Sequence, residues 1–267
     1  MCEVVMLGTG NAMCTRCYNT CFFLRTPGGG MMVDAGGGNG IFNQLQRAGV
    51  AITEVHHLFV THCHTDHIMG VVWMIRKISP MIHKGAFRGT LTIYCHDEAE
   101  HALRTMCALM MPRKIYSELD HGIVLRVVRD GERMAVDDMQ VTFFDIGSTK
   151  TKQFGFSAIL PDGRRLTCLG DEPYKPVSEQ YVRGCDWLLC EAFCLYADRE
   201  QHRAYEKHHS TVLDAARAAQ ELQVENLLLY HTVDAGLATR AQRFAAEART
   251  VFAGHVVVPD DLQRVTL

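Results

Sequence analysis

The stretch His62-Cys63-His64-Thr65-Asp66-His67 puts three imidazoles and one carboxylate into six residues, directly after the apolar run Val55 to Val60. Histidine is the commonest protein ligand of zinc-like ions, so this density at a strand-to-helix junction points to a metal centre rather than a decorated surface. If His62 and His64 are still extended, their period of two places both side chains on one face, where they can grip one ion. Asp66 and His67 fall where the chain turns into a helix expected over 68–78, so they aim elsewhere. One segment can therefore supply two neighbouring metal sites.

The remainder of the 267 residues fits one α/β unit, and a single domain over 1–267 is expected because no linker, low-complexity segment or repeat interrupts it. Working outward, short strands are expected over 3–7, 20–25, 31–34, 55–60, 90–95, 123–128, 139–146, 154–160, 165–169, 186–190, 226–230 and 256–258. Helices are expected over 41–48, 97–110 (with Asp97 as its cap), 210–222 and 238–252. The strands over 123–169 read as a mostly antiparallel set, with Pro161-Asp162-Gly163 as a hairpin turn. Two sheets with helices outside fit this order better than one alternating parallel sheet.

The net charge of −3 leaves no global footprint for nucleic acid, and the short basic stretches Arg113-Lys114 and Lys150-Thr151-Lys152 read as solvated faces. The N-terminus lacks the pattern of a secretory signal, and no apolar run reaches membrane-spanning length, so a cytoplasmic location without membrane contact is expected. The eleven cysteines are accordingly read as thiols. Cys14, Cys17 and Cys21 have a spacing that could hold metal, although a buried apolar role fits better. The Gly36 to Gly40 cluster matches no nucleotide fingerprint and reads as backbone passing close to a buried centre.

Two ions need ligands beyond the hexapeptide. Asp171 ends an apolar strand after Gly170, His231 ends the strand Asn226 to Tyr230, and His208-His209 precede a helix that Ser210 or Thr211 can cap. Taken together and in order, GTGNA, VDAGGG, THCHTDHIMG, LGDE, CEAF, HHST and LLLYHT resemble the metallo-β-lactamase superfamily, in its ribonuclease Z-like and phosphodiesterase branch. The resemblance implies an αββα sandwich of two mixed sheets flanked by helices. It implies that His62 and His64 bind one ion, that Asp66, His67 and His231 bind the other, and that Asp171 bridges them. Asp34 would orient a ligand histidine, and His209 would contact a substrate phosphate or protonate the leaving group. Zinc is the expected metal, with manganese or iron also compatible.

The chain departs from the family pattern twice. A further ligand histidine is expected after the strand ending near Ile146, but the residues there are Asp145-Ile146-Gly147-Ser148-Thr149-Lys150. The first site is then expected to be weaker, or completed by Asp145, Ser148 or Thr149. The arm with which ribonuclease Z proteins grip tRNA is replaced by a tight hairpin between Phe154 and Asp171. Both features, with the negative charge, point to a metal-dependent hydrolase of a small phosphodiester or nucleotide, with Asp66 and His209 as catalytic residues. The alternatives are a tRNA endonuclease, an ester, thioester or lactone hydrolase, and a non-catalytic sensor that keeps one metal. RNA and a homodimeric partner stay open.

Overall fold

A computed structural model describes residues 1–267. Its strands are β1 (Glu3–Gly8), β2 (Cys21–Thr26), β3 (Gly29–Val33), β4 (His57–Phe59), β5 (Leu91–Cys95), β6 (Ile123–Val127), β7 (Arg133–Val136), β8 (Met139–Asp145), β9 (Phe154–Ile159), β10 (Arg165–Cys168), β11 (Trp187–Glu191), β12 (Asn226–Tyr230), β13 (His255–Val257) and β14 (Arg264–Thr266). The helices are α1 (Ile41–Ala48), α2 (Thr65–His83), α3 (Asp97–Met110), α4 (Arg113–Tyr116), α5 (Glu179–Val182), α6 (Arg199–His202), α7 (Val212–Glu221) and α8 (Leu237–Ala248).

The strands form two seven-stranded sheets, ordered β14-β1-β2-β3-β4-β5-β6 and β13-β12-β11-β10-β9-β8-β7. Each is antiparallel on one side and parallel on the other. Phe59 of the first sheet meets Phe143 and Phe156 of the second, and Phe22 meets Tyr230, in an apolar layer between them. The outer face of the first sheet is covered by apolar residues of α1, α2 and α3, and that of the second by α7 and α8. This is the αββα sandwich of the metallo-β-lactamase fold.

Three expectations change. The strand Ile123–Val127 does not join the antiparallel set; it pairs parallel with β5 at the edge of the first sheet. Two strands carry too little periodicity to be read from the chain: β7, and β14, which returns from the C-terminus to pair with β1. α2 begins three residues before the expected start and so takes Asp66 and His67 into its first turn.

The cap of α3 is His96 rather than Asp97, its ring nitrogen accepting from Ala99 N at 3.4 Å. Burial, with the Lys152 ammonium as a second cause, pushes this imidazole down to about 4. An unfolded chain takes up that proton near pH 6.5, whereas the folded one resists until about pH 4. His96 should therefore remove up to about 3 kcal/mol of stability as the pH falls through that window. The urea midpoint at pH 7.5 and 4.5 checks this. His96→Asn keeps a capping acceptor and cannot titrate there, so its stability should vary less with pH than that of the parent; equal pH dependence would remove His96 from the account.

Candidate metal centre

The parallel strands β3, β4, β10, β11 and β12 all end at one edge of the sandwich, where an open α/β sheet presents its ligand crevice. Asp34 follows β3, His62 follows β4, Asp171 follows β10, Glu191 ends β11 and His231 follows β12. Asp34 and His231 both hold left-handed backbone, φ 54° and 57°, a conformation that costs a non-glycine residue free energy and clusters at functional sites. Gly70 lets α2 come down onto this edge, because a Cβ there would lie 1.9 Å from the Ala35 carbonyl oxygen.

The structure brings all six sequence-derived ligand candidates together. Asp171 Oδ2 lies at the centre, 3.6 Å from Nε2 of both His62 and His231 and 3.8 Å from Nε2 of His67. Asp66 Oδ2 lies 3.4 Å from His67 Nε2 and 3.5 Å from His231 Nε2. Donors around a zinc-like ion at bonds of about 2.0–2.2 Å stand about 3.3–3.6 Å apart, a spacing that Asp66 keeps to His67 and His231 in one three-ligand group, with Asp171 beside the two histidines. His67 Nε2 and both ring nitrogens of His231 are buried without a hydrogen-bond partner. Buried polar atoms are normally paired, and a cation among them would satisfy the two Nε2 atoms. This donor set fits the implied metal.

The other group, His62, His64 and Asp171, is arranged differently. His62 Nε2 and His64 Nδ1 lie 2.8 Å apart and share a hydrogen bond, closer than two ligands of one ion.

The electrostatics divide in the same way. Burial alone would push the Asp171 carboxyl up, but His62, His231 and His67 outweigh it and hold it well below the usual range. Burial likewise opposes the charge on Asp66 and is outweighed chiefly by His67 and His231. Burial would lower His67, yet Asp66 and Asp34 raise it well above its ordinary value. At His62 burial prevails and the imidazole is held well below.

Asp34 sits where the sequence places a supporting acid. Its Oδ2 lies 2.7 Å from His67 Nδ1 and accepts from Thr61 Oγ1 at 2.7 Å, while Oδ1 accepts from Thr61 N at 2.8 Å. His67 is thus held with Nε2 toward Asp66 and Asp171.

His209 is stacked on Phe193 at 4.5 Å between ring centroids and 7° between planes. Its Nδ1 lies 3.1 Å from the carbonyl oxygen of Asp171 and 3.6 Å from Glu191 Oε2. Of the two candidate caps for α7, Thr211 serves, in a reciprocal capping box with Asp214.

None of the residues expected to complete the first site turns into it. Asp145 Oδ1 accepts from Gly147 N, Ser148 donates to Glu172, and Thr149 Oγ1 meets His208. The buried neighbour is Gln153, whose Nε2 donates to Asp171 Oδ1 and lies 2.8 Å from His62 Nδ1. Sequence reasoning missed Gln153 because nothing marks a glutamine two residues before Gly155 as special. It also gave Glu191 no role, though CEAF was noted: this wholly buried carboxylate accepts from Ser210 N, and its Oε2 has no partner. Lys150, read as part of a solvated face, lines the site.

Of the three N-terminal cysteines only two meet. The Sγ atoms of Cys14 and Cys17 both crowd the space beside Gly10, whereas Cys21 is buried in the core of the first sheet. They do not form a three-ligand group.

Above the cluster lies an open cleft of about 790 Å³. Asp66, Asp171 and His231 line it with His209, and the Lys150 and Lys207 ammonium groups and the His208 ring add donors to its walls, beside the carboxylates of Glu206 and Asp234.

A family profile described as Anti-Pycsar protein Apyc1 matches residues 2–243. The chain belongs to the Apyc1 family. Among curated relatives, a ribonuclease Z of Phocaeicola vulgatus is 25% identical over 276 residues, covering 86% of each chain. Among solved structures, the metallo-β-lactamase fold protein YhfI from Bacillus subtilis superposes with a TM-score of 0.79 at 18% identity, covering 99% of this chain and 98% of its own. The short form of human tRNase Z gives a TM-score of 0.74 at 21% identity, with 99% and 98% covered. This Apyc1-family chain is therefore a metallo-β-lactamase-superfamily protein of the ribonuclease Z-like branch, and a metal-dependent hydrolase of that fold. No helix is long and apolar enough to cross a membrane.

Proposed function

We propose that the protein hydrolyses a small phosphodiester or nucleotide, with Asp66, His67, His231 and Asp171 holding one zinc ion and His62, His64 and Asp171 a second, weaker one. The observation that carries this reading is the cleft itself: about 790 Å³ is the size of a small-molecule site, and cationic side chains stand over a His/Asp cluster. Lys150, Lys207 and His208 suit an anionic phosphodiester better than a neutral lactone or ester.

A ribonuclease Z-like activity is the second reading, favoured by the curated relatives. The β9–β10 connection argues against a tRNA grip of the usual kind. It is a closed turn in which Gly163 N donates to Leu160 O at 2.9 Å, with no projecting arm.

Bound metal would supply an acidified water as nucleophile and neutralise charge developing on the phosphoryl oxygens. Asp66 would orient that water or accept its proton. Asp171 would hold the two groups of histidines in one cluster, while Asp34 would fix His67. His209, its Nδ1 engaged by the Asp171 carbonyl, would present Nε2 to the leaving group or the phosphate. Zinc suits an imidazole-rich set with two carboxylates, and manganese or iron would also fit.

A panel of small phosphodiesters, a tRNA precursor, lactones and thioesters tests the reading. Turnover of small phosphodiesters that falls at least about a hundredfold in Asp66→Ala supports it, the loss of one proton-transfer group being worth about that much or more. Turnover confined to lactones or to the tRNA precursor would overturn it.

A further inference from the structure

The place beside His62 and Asp171 is taken by a side chain that can point two ways. Gln153 is 1% exposed, its Nε2 donates to Asp171 Oδ1 and faces His62 Nδ1 at 2.8 Å, and its Oε1 is buried with no partner. On the other side, His62 Nδ1 lies 2.9 Å from Thr61 Oγ1. That hydroxyl gives its proton to Asp34 Oδ2 at 2.7 Å and so offers His62 a lone pair.

The two neighbours of Nδ1 make opposite demands. The Gln153 amide nitrogen favours a bare Nδ1, and the Thr61 oxygen favours Nδ1–H. A neutral imidazole can ligate an ion through Nε2 only when its proton sits on Nδ1. With the Gln153 nitrogen inward, the proton belongs on Nε2, which then donates to His64 Nδ1 at 2.8 Å, so that neither of these two nitrogens keeps a free lone pair for an ion. With the amide turned by half a revolution, its oxygen accepts from Nδ1–H and frees Nε2. That turn also brings the amide oxygen against Asp171 Oδ1, a repulsion that a cation would have to offset.

We propose that Gln153 is a positioning residue that sets the tautomer of His62, and through it whether the His62, His64 and Asp171 group takes an ion. The inference rests on the reading of that group as a metal site. It accounts for the hydrogen-bonded state of one half of the cluster while the other half keeps unpartnered nitrogens.

The test is Gln153→Met, which keeps length and removes the competing donor, so that Thr61 alone decides the proton. Titration with zinc against a competing chelator, with elemental analysis, reads both groups. The parent should hold one tight zinc per chain, and Gln153→Met should bind the second at least about tenfold more tightly with the first unchanged. Side-chain ¹⁵N spectra of the zinc-free proteins provide a second readout: His62 should carry its proton on Nε2 in the parent and on Nδ1 in the variant.

Loss of an ordinary supporting hydrogen bond predicts the opposite sign, about 10–100-fold weaker metal binding, and that result would overturn the proposal. So would two equally tight ions in the parent, a parent His62 already protonated on Nδ1, or a second group that stays empty in both proteins. Zinc at neither group would instead overturn the underlying metal reading.

Discussion

Asp171→Asn is expected to reduce turnover at least about a thousandfold, because metal-assisted charge stabilisation is worth several kcal/mol of barrier. The carboxylate oxygen Oδ2 stands 3.6 to 3.8 Å from three imidazole Nε2 atoms, so it touches both candidate sites at once. Asparagine keeps the shape and removes the charge that counters two cations. The fold should persist, since Asp171 follows β10 and the strand's own register rests on backbone pairing with β9 and β11. Metal content should drop by at least one ion per chain, measured by elemental analysis beside unchanged circular dichroism. An Asp171→Asn protein with full metal content and near-normal turnover would remove Asp171 from the centre of the mechanism.

The second large effect is expected at His209. Replacement by alanine should lower kcat by about 10²–10⁴, the range of a positioned proton donor, while leaving metal content intact. The ring is fixed by its stack on Phe193 and by the Asp171 carbonyl at Nδ1, which leaves Nε2 as the exchanging nitrogen. A leaving-group series separates its two roles. If His209 protonates the departing oxygen, a nitrophenyl phosphodiester, whose leaving group needs no proton, should lose far less than an alkyl one in His209→Ala. An equal loss across the series would assign His209 to binding the phosphate instead.

Much of this site was legible because local spacing encodes it. In the hexapeptide, period two puts His62 and His64 side by side, their ring centroids 4.4 Å apart, and the onset of α2 sends Asp66 and His67 another way. Asp171 and His231 were legible for a related reason: each follows the end of an apolar strand, and a sheet's parallel strands end at a common edge. The αββα order could likewise be read from the succession of strands and helices, apart from the two weakly patterned strands β7 and β14. The expectation that Asp145, Ser148 or Thr149 would replace the missing histidine did not hold, because each finds a nearer partner within its own loop or the facing one.

By itself, then, the sequence determined that a histidine-rich cluster lies at a strand end, that its ligands arrive from three separate segments, and that one expected histidine is lacking. Only the tertiary structure decided what stands in that place. Gln153 lies 91 residues from His62 and 18 from Asp171 along the chain, and no local pattern ties a glutamine to either. The pairing of β9 with β10 and the packing of the two sheets bring it there. The reason is physical: ligand spacing within one strand or turn is fixed by backbone geometry, which a sequence displays directly. The direction of a buried amide is fixed by neighbours from other elements, which meet only when the sheets close.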